Sequence, residues 1–313
     1  MNQLAPIIVF CYNRPRHVEQ TLLALSKNEL ADQSVLYIYC DGPKDNASND
    51  QIEKITEVRR IVRKQKWCKE VHIFESDKNK GLANSIIGGV TDVINQYGKV
   101  IVLEDDIVTS VGFLRYMNDA LDIYKDEDKV MHISAYMYPH KKKLPETFFF
   151  TVPYPGGGWA TWQRAWKHFR DDADYFYGYF EKHKQWDKFN KLGGKYLQKQ
   201  LKANVDGALK TWFIKWHATL LLLDGLTLYP NHSLTNNIGF DETGTHCSPM
   251  TKFDIENPAV SINVEKIGLV QSKKATKIII RFYQGRFYPV RNFFIKFTPD
   301  RVKLLIKNML KIN

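Results

Sequence analysis

Cysteine is scarce: the 313 residues hold four, Cys11, Cys40, Cys68 and Cys247, and none has the spacing of a zinc or redox motif. This excludes a disulfide scaffold and points to a reducing compartment. Long apolar runs are absent as well. No stretch reaches membrane-spanning length, and the opening "APIIVF" lacks a basic flank and is too short for a secretory signal. There is no internal repeat, no low-complexity segment and no glycine-rich phosphate loop after the first apolar run, which reads "FCYNRPRH". The expected location is the cytoplasm.

What is present is an ordinary globular composition, 44% hydrophobic and 25% charged, with 13% aromatics concentrated between Phe148 and Trp216. The net charge of +11 is uneven. From Gln271 onward eleven lysines and arginines face Asp300 alone, so the first 270 residues are close to neutral. The body is therefore no binder of nucleic acid; a polyanion partner would have to meet the tail. Beyond Thr298-Pro299, a helix-start signal, Val302, Leu305, Ile306, Met309 and Leu310 share one face, with Lys303, Lys307 and Lys311 on another. Residues 271–313 are thus expected to dock on an anionic membrane surface, the inner face of the plasma membrane, or to fold back on the body through the same apolar face.

Residues 1–110 alternate apolar runs at 6–12, 34–41, 70–76 and 99–103 with helical periodicity, including 17–27 and 81–97. That alternation predicts an α/β fold, a mostly parallel sheet of right-handed crossovers flanked by helices. A helix is expected over 110–124, a strand over 129–136, and mainly helix over 148–223. The expected domains are 1–265, with a nucleotide-binding half (1–110) and an acceptor half (111–265), and a basic tail (266–313).

In such sheets ligands meet the carboxyl ends of the strands, where Asn13-Arg14, Asp41-Gly42 and Glu104-Asp105-Asp106 all fall. Three adjacent acids repel one another, which suits either a solvated turn or a divalent-cation site, Mg²⁺ or Mn²⁺ holding a diphosphate.

The segments "CYNRPRHVEQTL" (11–22), "YIYCDG" (37–42), "LEDDIVTSVGFLRYM" (103–117), "PGGGWATWQRAW" (155–166) and "LTLYPNHSLTNNIGFDETGTH" (226–246) occur in the order found in GT-A-fold, nucleotide-sugar-dependent glycosyltransferases. The chain resembles the N-acetylglucosaminyltransferase I type and bacterial family 2-like polysaccharide enzymes. The resemblance implies a Rossmann-like GT-A fold and a metal-dependent transfer of sugar from a nucleoside diphosphate, UDP above all, to a saccharide or lipid-linked acceptor, with inversion.

It assigns Arg14 to the base or diphosphate, Asp41 to the base, Glu104 and Asp105 to sugar and ribose hydroxyls, and Asp106 to the metal. Asn79, Asn84 and Ser85 stand at a donor-side helix start, and Gly157, Gly158 and Trp159 beside the sugar. His246, in the lid-like "GFDETGTH", is a second metal candidate. Local roles remain open: Arg14 as a helix-start residue, Asp41 as a turn former, Asn79 as a cap and Trp159 as core. The family's acids after a tryptophan are missing, since Trp212 precedes Phe213 and Ile214. Asp206 and Asp241 are the substitutes for the catalytic base. A sugar-1-phosphate nucleotidyltransferase and a non-enzymatic basic nucleic-acid module are the rival readings.

Overall fold

A computed structural model of the chain describes residues 3–192, 194–239, 253, 255 and 257–284. Strand β1 (Ile7–Cys11) is buried at every position, as a run of apolar residues covered on both faces must be. It pairs in parallel with β2 (Val35–Cys40) and β4 (Lys99–Glu104), and β2 pairs in parallel with β3 (Glu70–Glu75). The crossovers are α1 (Pro15–Ser26), α2 (Asn49–Val62) and α3 (Leu82–Tyr97).

Each crossover has a local cause. Pro15 stands in the first turn of α1, where a missing N–H costs nothing, and Val18, Leu22 and Leu25 bury one face. Ser48 and Gln51 form a reciprocal capping box at the start of α2. Gly98, at φ +75°, ends α3 in the left-handed conformation and lets the chain turn directly into β4.

The chain continues through β5 (Ile107–Thr109), α4 (Phe113–Ile123), β6 (Val130–Ser134), β7 (Thr147–Phe150), β8 (Trp159–Trp162), β9 (Leu226–Pro230) and β10 (Thr235–Asn237). One sheet has the order β3-β2-β1-β4-β8-β6-β9-β7, and β5 pairs with β10 in a separate ribbon. β8 runs antiparallel to β4 and β6, β9 is parallel to β6, and β7 is antiparallel to β9, so only β7 and β8 point against the rest. The sheet is mostly parallel, as expected, and two apolar clusters fill its two faces.

Residues 148–223, expected to be mainly helical, open instead with most of β7 and all of β8, ahead of the helices Ala173–Lys182, Tyr196–Val205 and Phe213–Leu222. Both strands are four-residue runs, too short for periodicity to separate strand from buried helix. Of the two expectations for the basic tail, its start follows the second and folds back on the body. Helix Lys273–Gln284 buries Ala275 and Ile279 completely, and Ser272 N donates to Phe149 O at 2.9 Å. The apolar face of that stretch is occupied by the body, so the membrane expectation passes to residues 285–313, outside the described residues. None of the helices of the described residues is long and apolar enough to cross a membrane.

Candidate active site

The carboxyl ends of β1 and β4 lie side by side, with Phe10 opposite Glu104. β4 ends at Glu104, and the chain turns through Asp105 and Asp106 before β5. The α1 start therefore faces the acid turn. Arg14 Nη1 reaches Asp106 Oδ2 at 2.8 Å and Asp105 Oδ1 at 3.8 Å, and its Nη2 donates to Gly239 O at 3.2 Å. Asp105 Oδ2 accepts from Tyr12 N at 3.4 Å, and Thr21 Oγ1 donates to the Asp105 carbonyl at 2.8 Å. One guanidinium thus partly compensates the clustered acids.

The compensation is incomplete. Burial, reinforced by Asp106 and Asp105, pushes the Glu104 carboxyl up to about 8 against the pull of Arg14. Burial and the Asp106 charge push Asp105 up to about 7. Asp106 is also raised by burial, though its bond and proximity to Arg14 oppose the shift. Asp106 Oδ1 is buried and has no hydrogen-bond partner among the described residues. Such an orphaned acceptor is costly unless something positive meets it.

A hard divalent cation fits that oxygen. Among the described residues no group of three His, Cys, Asp or Glu side chains converges on a metal position. The fit is therefore that of a cation held by one or two protein carboxylates, with phosphate oxygens and water completing its shell.

Residues distant in sequence close the site. Ile238 N donates to the Asp106 carbonyl at 2.9 Å, which brings Gly239 against the acid. A Cβ on Gly239 would lie 2.0 Å from Asp106 Oδ2 and 3.0 Å from Arg14 Nη1, so any side chain there must displace the acid. Asn237 donates to Gly156 O at 2.9 Å and accepts from Gly239 N at 2.7 Å, which ties the glycine loop to this segment. Asn237 and Gly239 are a site signal that the sequence offers in the "NNIGF" stretch at the end of β10, and Gly156 one in the "PGGG" loop.

Other assigned residues are placed differently. Asp41 accepts from Gly42 N, Lys80 N, Gly81 N and Asn79 Nδ2, at 2.8 to 3.1 Å. Those four donors engage both oxygens of the carboxylate, so Asp41 fastens the end of β2 to the α3 entry. Asn79 is spent on Asp41 and Gly42 O; the cap position of α3 is Gly81. Asn84 is exposed and donates to Lys80 O, and Ser85 lies half-buried in the first turn.

Trp159 is 1% exposed and stacks on Trp212 with ring centroids 4.9 Å apart, so its indole is core and no sugar platform. Gly157 and Gly158 are buried too. A Cβ on Gly157 would meet Tyr136 Cβ at 2.2 Å, and Gly158 takes φ +75°, so both serve close packing behind the rim. Gly156, half-exposed, is the member of the loop nearer solvent. Asp206 ends helix Tyr196–Val205 in a half-exposed ion pair with Lys202; no bond among the described residues links it to the acids. Asp241 and His246 lie outside the described residues.

No family model matches the chain. Solved structures to which it is similar include the mannosyltransferase PcManGT from Pyrobaculum calidifontis in complex with GDP-Man and Mn²⁺ (11% identity, TM-score 0.35, 51% of this chain and 45% of that one). The 1–349 portion of TarS from S. aureus shares 10% identity at a TM-score of 0.39, over 75% of this chain and 60% of that one. A cytidylyltransferase from Leptospira borgpetersenii shares 11% at 0.32, over 54% and 64%. The chain thus spans about half of the length of these structures. At such likeness, what the chain does has to be read from its own rim residues.

Proposed function

We propose that the chain is a metal-dependent glycosyltransferase that moves a sugar from a nucleoside diphosphate, UDP first among candidates, to a saccharide or lipid-linked saccharide in glycan assembly. The observation that carries this reading is Asp106: a half-buried carboxylate two residues past a parallel strand, one oxygen bound to Arg14 and the other buried without a donor among the described residues. Asp106 would hold Mg²⁺ or Mn²⁺, with His246 a second candidate ligand. The cation supplies positive charge to the departing diphosphate. Arg14, already 2.8 Å from Asp106, stands where a diphosphate on that cation would meet a guanidinium fork. Glu104, half-buried beside them, is the acid left to accept from sugar hydroxyls.

An inverting transfer needs a carboxylate on the acceptor side to take the hydroxyl proton. Asp206 is engaged by Lys202, which leaves Asp241, two residues beyond Gly239, as the candidate base. A sugar-1-phosphate nucleotidyltransferase is disfavoured because the β1–α1 turn, Tyr12-Asn13-Arg14, offers neither glycines nor a second cation for a triphosphate.

The test is hydrolysis of a panel of nucleotide sugars with Mn²⁺, with Mg²⁺ and with chelator. Metal-dependent release of nucleoside diphosphate, lost in Asp106→Ala with the fold retained, is expected. Turnover undiminished in chelator sinks the metal, and pyrophosphate formation from nucleoside triphosphate and sugar 1-phosphate would install the rival.

A further inference from the structure

A second site lies among the helices after β8. Trp186, Asp187, Lys191, Lys195 and Gln198 line a cavity of about 620 Å³ with Gln284, from the end of helix Lys273–Gln284. None of the acid-rim residues lines it. The volume suits one or two sugar units.

The lining is chemically specific. Lys191 Nζ donates to Gln271 Oε1 at 2.6 Å and Thr151 Oγ1 at 3.2 Å, and lies 5.9 Å from the centre of the Phe150 ring. All three partners are uncharged. Burial, with Lys188 nearby, lowers its ammonium from the ordinary lysine range. A half-buried cation with no acid bonded to it among the described residues is a standing cost that an anionic ligand would remove. Lys195 is exposed and makes no ion pair among the described residues. Gln198 uses its side-chain carbonyl on Asn190 Nδ2 at 3.1 Å, which leaves its amide N–H₂ without an acceptor among the described residues.

The remaining lining suits a sugar ring. Trp186 is half-buried, and its N–H is fixed on Glu181 at 2.6 Å, so the indole is held in place. Asp187 is exposed, outside any ion pair among the described residues, and able to accept from hydroxyls. Two ammonium groups, one carboxylate, free amide donors and a fixed aromatic together match a sugar carrying an oxyanion.

We propose that this cavity binds an anionic saccharide, its phosphate or carboxylate meeting Lys191 and Lys195 and its ring meeting Trp186. As the anionic unit of the acceptor, it rests on the glycosyltransferase reading; as a binding site it stands alone. Binding to the full chain is measured in chelator without nucleotide, using glucose 6-phosphate, glucuronate, glucose and inorganic phosphate. The charged sugars should bind, with glucose at least about tenfold weaker. Lys195→Gln and Lys191→Gln should each weaken the charged sugars by about tenfold, the size of one charge-assisted hydrogen bond. Lys195 is exposed, so its variant separates binding from folding. Arg14→Gln should leave affinity unchanged.

Equal binding of glucose, indifference to both lysine variants, or loss in Arg14→Gln overturns the site. Inorganic phosphate binding as tightly as the sugar phosphate overturns the saccharide assignment. Competition by phosphatidylglycerol vesicles as effective as free sugar phosphate would assign the surface to a lipid headgroup instead. Metal-dependent donor hydrolysis is assayed separately, so its absence would count against the transferase reading while leaving sugar-phosphate binding intact.

Discussion

Arg14 Nη1 lies 2.8 Å from Asp106 Oδ2, so the residue expected to meet the diphosphate already holds the acid expected to meet the metal. The two residues are 92 positions apart and are joined because β1 and β4 are parallel neighbours. The arginine does part of the work a cation would do. A second positive group arriving at Asp106 must share this carboxylate with Arg14, using the oxygen that Arg14 leaves open.

The raised carboxyls give a pH signature. Glu104 holds its proton more tightly folded than unfolded, from an ordinary 4.5 up to about 8. The folded state then binds more protons, so its contribution to stability is fully present in acid and is lost as pH rises through that window. Glu104→Gln removes the group that must ionise. The melting temperature of the variant relative to the parent should therefore climb as pH rises from about 5 to about 9. A constant difference across that range means that Glu104 titrates normally.

Gly239 offers a sharper probe of the same pair. An added methyl group at 2.0 Å from Asp106 Oδ2 has to displace that carboxylate or the backbone beside it. Gly239→Ala should reduce metal-dependent donor hydrolysis about a hundredfold, comparable to losing one preorganised electrostatic contact. Stability should change little, because the displaced groups border the rim. Normal turnover in this variant would show that Asp106 is not held in its working position by Gly239.

Asp41 separates a structural from a nucleotide-binding role. With four protein donors on its carboxylate, Asp41→Ala should cost about 1–3 kcal/mol, visible as a lower denaturant midpoint. The thermal shift given by UDP with Mn²⁺ should then persist in the variant at a temperature where it remains folded. A lost nucleotide shift at unchanged stability would return Asp41 to the base.

These cases show what was legible in the sequence. The apolar runs of β1, β2 and β4 and the periodicity of α1 and α3 are local signals, and both element type and the parallel arrangement follow from them. The acid turn reads in the sequence as either a solvated turn or a cation site, and its burial against Arg14 is visible only in the fold. The engagement of Asp41 is hidden, because an Asp-Gly-Pro turn looks the same whether its carboxylate is free or engaged by Asn79, Lys80 and Gly81 some 38 to 40 positions later. The packing of Trp159 is hidden for a related reason. Flat aromatics beside glycines suit a sugar platform or a packed strand equally, and the stack on Trp212 decides for packing. The constraint on Gly239 is hidden because it comes from the side chain of Asp106.

The tail divides at residue 284. Ala275 and Ile279 are fully buried, Tyr283 bonds Tyr138 between hydroxyls at 2.9 Å, and Gln284 donates to Leu192 O at 3.2 Å. Deleting 271–313 therefore strips buried apolar surface from the body, at about 1.5–3 kcal/mol for each large side chain lost, and should leave a chain that aggregates or melts early. Deleting only 285–313 removes seven lysines and arginines and leaves that packing intact. This shorter deletion should keep the parent melting temperature and donor hydrolysis while losing sedimentation with anionic vesicles, in a manner that added salt reproduces in the full chain. If the shorter truncation still sediments with the vesicles, the attachment lies in the body, where Lys273, Lys274, Lys277 and Arg281 are exposed on the packed helix. If neither protein sediments with them at low salt, the membrane role of the tail is wrong.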